Sequence, residues 1–188
     1  QDYIVFLDSD MAFHSDYEHL NLEPYVTAEK YYQSMNRYFE RLEQDLDLPV
    51  VISAHPRGQL DRYHADFQGR EVVQGKTAEM VRDAAYVVTH SSTSDSFAVL
   101  WNKPMLVVST DELERSSWYP YMEATCKVLG IRRTNADRLP RNADWKVLAE
   151  RPKAQYDYYR NQLIKRDGTP ERNSWELFAD WLEQKEAA

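Results

Sequence analysis

Short apolar runs recur along the chain, with amphipathic stretches between them. Tyr3-Ile4-Val5-Phe6-Leu7, Val50-Val51-Ile52-Ser53, Tyr86-Val87-Val88-Thr89 and Met105-Leu106-Val107-Val108 each read as a strand, and Glu71-Val72-Val73 as a shorter one. Uninterrupted runs rich in β-branched residues belong to strands covered on both faces, as in a parallel sheet. Between the first two runs, Tyr32, Met35, Phe39, Leu42 and Leu46 recur at spacings of three, four, three and four. That is one face of an amphipathic helix whose other sides carry charge. Residues 76–84 predict a short helix opened by Thr77 with Glu79 in its first turn, and 93–100 predict another, ended by Asn102-Lys103-Pro104. Strands alternating with helices predict right-handed βαβ crossovers and an α/β fold: a Rossmann-like, doubly wound, mainly parallel sheet with helices on both faces.

From residue 118 the strand signal dwindles to Gly130-Ile131-Arg132-Arg133, and the rest is helical pattern broken at Pro140, Pro152 and Pro170. A last helix over 174–185 carries Trp175, Phe178, Trp181 and Leu182 at helical spacing. So much aromatic surface is expected to be buried, against the sheet or against a neighbouring domain. The expected division is a sheet-bearing unit over 1–135 and a helical extension over 136–188. The chain opens at Gln1 inside an apparent strand, as expected of a piece of a larger protein.

Composition narrows the classes. A length of 188 residues is ample for a single well-filled core. Lys plus Arg is 23 against 31 Asp plus Glu, a net charge of −8, which disfavours nucleic acid as a partner because that binding relies on neutralising phosphates. The single cysteine, Cys126, leaves no disulfide framework or Cys-x-x-Cys chemistry; it falls in an amphipathic stretch and reads as a small buried hydrophobe. Mean hydropathy is −0.72 and no run approaches the length of a membrane span, so a cytoplasmic domain is expected. The tyrosine clusters (Tyr31, Tyr32, Tyr38; Tyr156, Tyr158, Tyr159) read as core and interface.

Ligands of open doubly wound sheets bind beyond the carboxyl ends of the strands, where the strand order reverses. Three polar loops fall there: Asp8-Ser9-Asp10 after the first strand, Ala54-His55-Pro56-Arg57 after the second, and His90-Ser91-Ser92-Thr93-Ser94-Asp95 after the fourth. With a 3-2-1-4-5 order all three share one rim. Ser91, Ser92, Thr93 and Ser94 supply hydroxyls next to a helix start, a combination suited to a phosphate and equally to simple capping. Pro56 ends sheet pairing for lack of an N–H, leaving His55 and Arg57 projecting from a strand end with His90 on the same rim, where they could hold a phosphate. Asp8 and Asp10 admit an alternative: a divalent-metal pair, as in Asp-x-Asp sugar transferases or haloacid dehalogenase-like phosphatases. The phosphatase pattern needs a later acidic pair, for which only Asp111-Glu112 stands available. The transferase pattern leaves the loops at 55 and 90–95 without a role. A non-catalytic sugar-phosphate-binding module is a further alternative. No HExxH, P-loop, GxGxxG or GxSxG motif occurs.

Residues 50–109 resemble a known family. Val51-Ile52-Ser53-Ala54-His55-Pro56-Arg57 is similar to the His-Pro motif of bacterial sialyltransferases and Kdo transferases. Ala84-Ala85-Tyr86-Val87-Val88-Thr89-His90-Ser91-Ser92-Thr93, closed by Ala98-Val99-Leu100-Trp101-Asn102-Lys103-Pro104, is similar to their Ser-Ser/Thr motif. Between them lies the helix start Gly75-Lys76-Thr77-Ala78-Glu79; CDP-glycerol and teichoic-acid-type polymerases carry related patterns. The resemblance implies the C-terminal, donor-binding half of a GT-B glycosyltransferase of bacterial surface-polysaccharide synthesis, with residues 1–135 as its nucleotide-sugar-binding unit. It implies a CMP-linked ulosonic acid such as Kdo or sialic acid as favoured donor and a capsule or lipopolysaccharide-type glycan as acceptor. It further implies catalysis with no metal or other cofactor, and a partner N-terminal domain carrying the general base. Peripheral association with the inner membrane is expected of the whole enzyme. Carried over by motif, His55 stabilises the leaving-group phosphate, and the donor site comprises His55, Arg57, His90, Ser91, Ser92, Thr93, Ser94, Asp8 and Thr77. Asp8-Ser9-Asp10 is foreign to this pattern, and Asp95 stands near where many such enzymes place a ribose-binding glutamate.

Overall fold

A computed structural model describes residues 3–186. Six parallel strands form one sheet: β1 (Ile4–Leu7), β2 (Val50–Ala54), β3 (Val72–Gln74), β4 (Tyr86–Thr89), β5 (Met105–Ser109) and β6 (Arg133–Asn135), in the order β3-β2-β1-β4-β5-β6. β1 is central, Ile4 lying between Val50 and Tyr86, and Leu7 between Ser53 and Thr89. All four β1 residues are buried, which is why the run reads as continuous rather than alternating. The Rossmann-like α/β fold predicted from the pattern is the fold observed.

The helices are α1 (Asp16–Leu20), α2 (Ala28–Leu46), α3 (Leu60–Asp66), α4 (Thr77–Asp83), α5 (Asp95–Leu100), α6 (Tyr119–Leu129), α7 (Trp145–Leu148), α8 (Lys153–Tyr159) and α9 (Ser174–Glu186). Right-handed crossovers put α2 and α3 on one face of the sheet and α4, α5 and α6 on the other; α4 packs on α5, and α6 on α8. The apolar stripe of α2 meets β1 through Phe6 and Phe39, ring centres 5.0 Å apart, with Phe67 completing the cluster. Arg70, on the approach to β3, makes a two-pronged ion pair with Glu43 of α2 (3.0 and 2.8 Å) and bonds Asn36 (2.9 Å), fixing the crossover end.

Several boundaries differ from expectation for local reasons. The strand expected at 130–133 starts at Arg133 because Gly130, at φ +65°, ends α6 in the left-handed conformation and Ile131 still bonds back to the Cys126 carbonyl. The helix expected from residue 93 starts at Asp95, since Ser91 has φ +78° and residues 91–94 form a turn. Cys126 is only half-buried; burial nevertheless pushes its thiol up to about 11, so it carries no thiolate chemistry at neutral pH.

The helical extension divides. Its first part joins the core: Trp145 packs edge-on against Tyr38 and bonds Asp45 (2.8 Å), and buried Tyr156 donates to the Lys103 carbonyl (3.1 Å). α9 does not. Trp175 is 76% exposed and Phe178, Trp181 and Leu182 between 43% and 51%, so of the two expected settings for this face the sheet does not supply the cover. The aromatic rings pack mainly on one another, Phe178 on Trp181 at 5.9 Å. Among the described residues no helix is long and apolar enough to cross a membrane.

The Phe6–Phe39–Phe67 cluster makes Phe39 a test of the core. Phe39→Ala is expected to cost about 3–5 kcal/mol, seen in urea unfolding as a lower midpoint with an unchanged m-value.

Candidate functional site

The order reverses between β1 and β4, and the loops leaving β1, β2 and β4 converge above that point. They enclose a cleft of about 260 Å³ lined by Ser9, Met11, His14, Asp16, Tyr17, Leu20, Leu22, Tyr25, His55, Ser91, Ser92, Thr93 and Trp118. Four of the residues expected there, His55, Ser91, Ser92 and Thr93, do line it. A larger, more open depression beside it is lined by Phe13, Lys30, Glu112 and Arg115 and shares Tyr25.

The His55 loop is held from three sides. Gln74, the last residue of β3, aims its side-chain amide at the carbonyls of His55 (2.8 Å), Pro56 (3.3 Å) and Gly58 (3.1 Å). Below, the Tyr63 hydroxyl accepts from the His55 backbone N–H (3.3 Å) and donates to Asp8 (2.6 Å). Gly58 permits that approach: a Cβ there would stand 2.4 Å from the Tyr63 oxygen. On the ring itself, Nδ1 accepts the Arg57 backbone N–H (3.3 Å), so the neutral imidazole carries its proton on Nε2. Burial lowers the His55 pKa, with His14 and Arg57 adding to the effect. His55 is therefore a neutral hydrogen-bond donor at pH 7.

The β4 loop is shaped by buried Asp95, which accepts the Ser92 N–H at 3.0 Å. Ser91 shares a hydrogen bond with Thr125 of α6 (2.6 Å), the Ser92 hydroxyl accepts from the Ser94 N–H (3.2 Å), and Thr93 is exposed. The opposite wall is aromatic. Tyr17 stands edge-on to Tyr25 at 5.3 Å, Tyr25 packs on Trp118 at 5.6 Å, and Trp118 donates its indole N–H to the His90 carbonyl (2.9 Å). The cleft thus offers hydroxyls, imidazoles and aromatic faces.

Five expected site residues lie elsewhere. His90 is fully buried; its Nδ1–H donates to the Val108 carbonyl (2.6 Å) and its Nε2 accepts from Tyr31 (2.8 Å), with Phe6 edge-on at 5.3 Å. Burial drives its pKa down to about 4, so it is a satisfied core histidine and has no atom to give a ligand. Arg57 turns outward, bonding Asp16 (3.2 Å) and Ser15 (3.3 Å) at the rim. Ser94 leads into α5 with its backbone N–H on the Ser92 hydroxyl and no cap from its own side chain, and the Thr77 hydroxyl is shared with Ser53 (2.9 Å). Asp8 is buried under the floor, where burial raises its carboxyl to about 7 against the Tyr63 bond. Asp10, at φ +49°, is ion-paired to Arg62 at 2.7 Å. The metal alternative meets a guanidinium already seated on one carboxylate and a second carboxyl driven toward its neutral form. Asp111 and Glu112 are engaged with Asn135, Arg138, Thr27 and Lys30.

Sequence reasoning missed His14, Tyr17, Tyr25 and Trp118, whose loops carry no motif, and Gln74, hidden at a strand end. No protein-family model and no curated protein sequence matches the chain.

Three buried groups set a pH signature. Asp8 and Asp95, both at about 7, lie above their ordinary 3.8, so their contribution to stability is complete below that value and is lost as pH rises through about 7. His90, at about 4, lies below its ordinary 6.5, so its contribution is complete above 6.5 and is lost as pH falls toward 4. Asp95→Asn keeps an acceptor for Ser92 and removes the buried charge. Its melting temperature should exceed that of the parent at pH 8, by the equivalent of a few kcal/mol, and the gap should close between pH 7 and pH 4. A constant gap across that range would contradict the assignment.

Proposed function

We propose that this chain is the donor-binding domain of a GT-B-type glycosyltransferase that uses a nucleotide-activated sugar. The observation that carries the reading is the meeting of His55 with Ser91, Ser92 and Thr93 in one cleft at the reversal point of the sheet. These are the residues through which the His-Pro and Ser-Ser/Thr motifs resemble the bacterial Kdo transferases and sialyltransferases. The resemblance favours a CMP-linked ulosonic acid as donor and a bacterial surface glycan as acceptor.

The chemistry follows from what the cleft offers. Departure of the nucleotide leaves growing negative charge on its phosphate oxygens. A neutral Nε2–H held by the Arg57 amide on the far side of the ring is preorganised to donate to that charge, and preorganised donors stabilise a transition state without reorganisation. The hydroxyls of Ser92 and Thr93 add donors on the facing loop. The aromatic wall of Tyr17, Tyr25 and Trp118 provides surface for a base or sugar ring. The acceptor hydroxyl would lose its proton to a general base on a second domain, and the exposed aromatic face of α9 is a surface such a domain could cover.

Thermal unfolding with CMP, CDP, UDP, GDP and phosphate, with and without magnesium, tests this. A ligand at a hundred times its Kd stabilises by about 2.7 kcal/mol, or very roughly 5–10 °C for a domain of this size. We expect a magnesium-independent shift with a cytidine nucleotide that His55→Ala abolishes. A shift that needs magnesium would favour the Asp8/Asp10 reading instead.

A further inference from the structure

His14 is the one histidine besides His55 on the cleft lining. Its ring centre lies 4.8 Å from that of His55, with the planes tilted by 58°, and Tyr17 packs edge-on behind it at 6.2 Å. The two rings share an arrangement that neither sequence neighbourhood announces. Nδ1 of His14 accepts the backbone N–H of Asp16 (3.1 Å), as Nδ1 of His55 accepts that of Arg57 (3.3 Å). Each histidine bonds the amide two residues ahead, so each neutral ring carries its proton on Nε2. With the Nδ1 edges turned to the backbone, the Nε2 edges are left to the cleft, and among the described residues no protein group meets either of them.

The loops bearing the two rings are joined. Arg57, two residues past His55, bonds Asp16 (3.2 Å) and Ser15 (3.3 Å), just past His14. Asp16, the carboxylate on the cleft lining, is shared between Arg57 and the Nδ1 edge of His14, 3.6 Å away. The result is a pair of N–H donors on rings tilted by 58° to one another, on a lining shared with Ser9, Ser92 and Thr93. Two such donors, on rings whose centres lie 4.8 Å apart, are close enough to reach oxygens of one phosphoryl group.

We propose that His14 and His55 form a two-donor clamp that binds a single phosphoryl group of the ligand through their Nε2–H edges, with His14 as a binding residue in its own right. The inference deepens the donor-site reading and rests on it only for the identity of the ligand's organic part.

Calorimetric titration of the full chain with CMP, UMP and GMP, their nucleosides and inorganic phosphate separates the two. His14→Ala should weaken the binding of a nucleotide about tenfold or more, as expected for losing a hydrogen bond to a charged group, while leaving the parent nucleoside unaffected. His14→Gln, which keeps an N–H near the Nε2 position, should recover part of the loss. Long-range proton–nitrogen spectra of the free protein should show both rings as the Nε2–H tautomer, a measurement that stands even if His14→Ala fails to fold. Nucleotide binding that His55→Ala weakens and both His14 variants leave intact overturns the clamp and spares the donor-site reading. Phosphate binding that depends on His14, with no preference for any nucleotide, upholds the clamp and overturns that reading. No binding of phosphate or nucleotide by the parent chain overturns both, and an Nδ1–H tautomer at His14 overturns the clamp alone.

Discussion

The structure depends on a constraint of handedness acting at β1. Because parallel crossovers are right-handed, the chain can extend the sheet to one side of β1 through β2 and β3, then must return to build β4, β5 and β6 on the other. The helices therefore change face at this line, and the loops above β1 and β4 part instead of covering one another. Everything the cleft contains comes from loops leaving β1, β2 and β4 or from segments that pack against them. The four buried residues of β1 hold neighbours on both edges, so the crevice has a rigid floor.

The floor is also electrically quiet, and this shapes what the cleft can hold. His90, Asp8 and Asp95 lie beneath it, and burial drives each toward its neutral form. Desolvation and not any specific partner is the largest cause in all three. The nearest permanent charges form pairs, Arg62 with Asp10 below and Arg57 with Asp16 at the rim. What lines the cleft besides Asp16 is a set of imidazole and hydroxyl groups against aromatic faces. Under the proposed function, an anion here would be held by hydrogen-bond donors such as neutral His55 more than by a free cation, since Arg57 and Arg62 are engaged with Asp16 and Asp10.

Much of this was legible in the sequence, and the limits have physical causes. The strands were readable because burial on both faces leaves an uninterrupted apolar run, and α2 because its stripe has helical spacing. The convergence of His55 with Ser91, Ser92 and Thr93 followed from topology alone. His90 misled because a strand-end histidine looks the same whether it faces solvent or core; what buries it is Tyr31, fifty-nine residues away on α2. Arg57 misled likewise, since its partner Asp16 sits on a loop with no sequence pattern. His14, Tyr25 and Trp118 reach the cleft through packing of long loops, which periodicity does not report. The α9 face reads as buried because its pattern is amphipathic, and pattern alone does not say which molecule supplies the other half of a contact.

The grip of Gln74 on the His55, Pro56 and Gly58 carbonyls ties the cleft to the edge of the sheet. β3 has only three residues, is half-buried, and pairs on one side alone, with β2. Edge elements of this kind open most readily in the native state, well before global unfolding. Each such opening would release the three carbonyls together and let the His55 loop drift from its ring geometry. Gln74 thus couples the His55 loop to an edge strand, so that anything which fixes the loop would also slow amide exchange in β3.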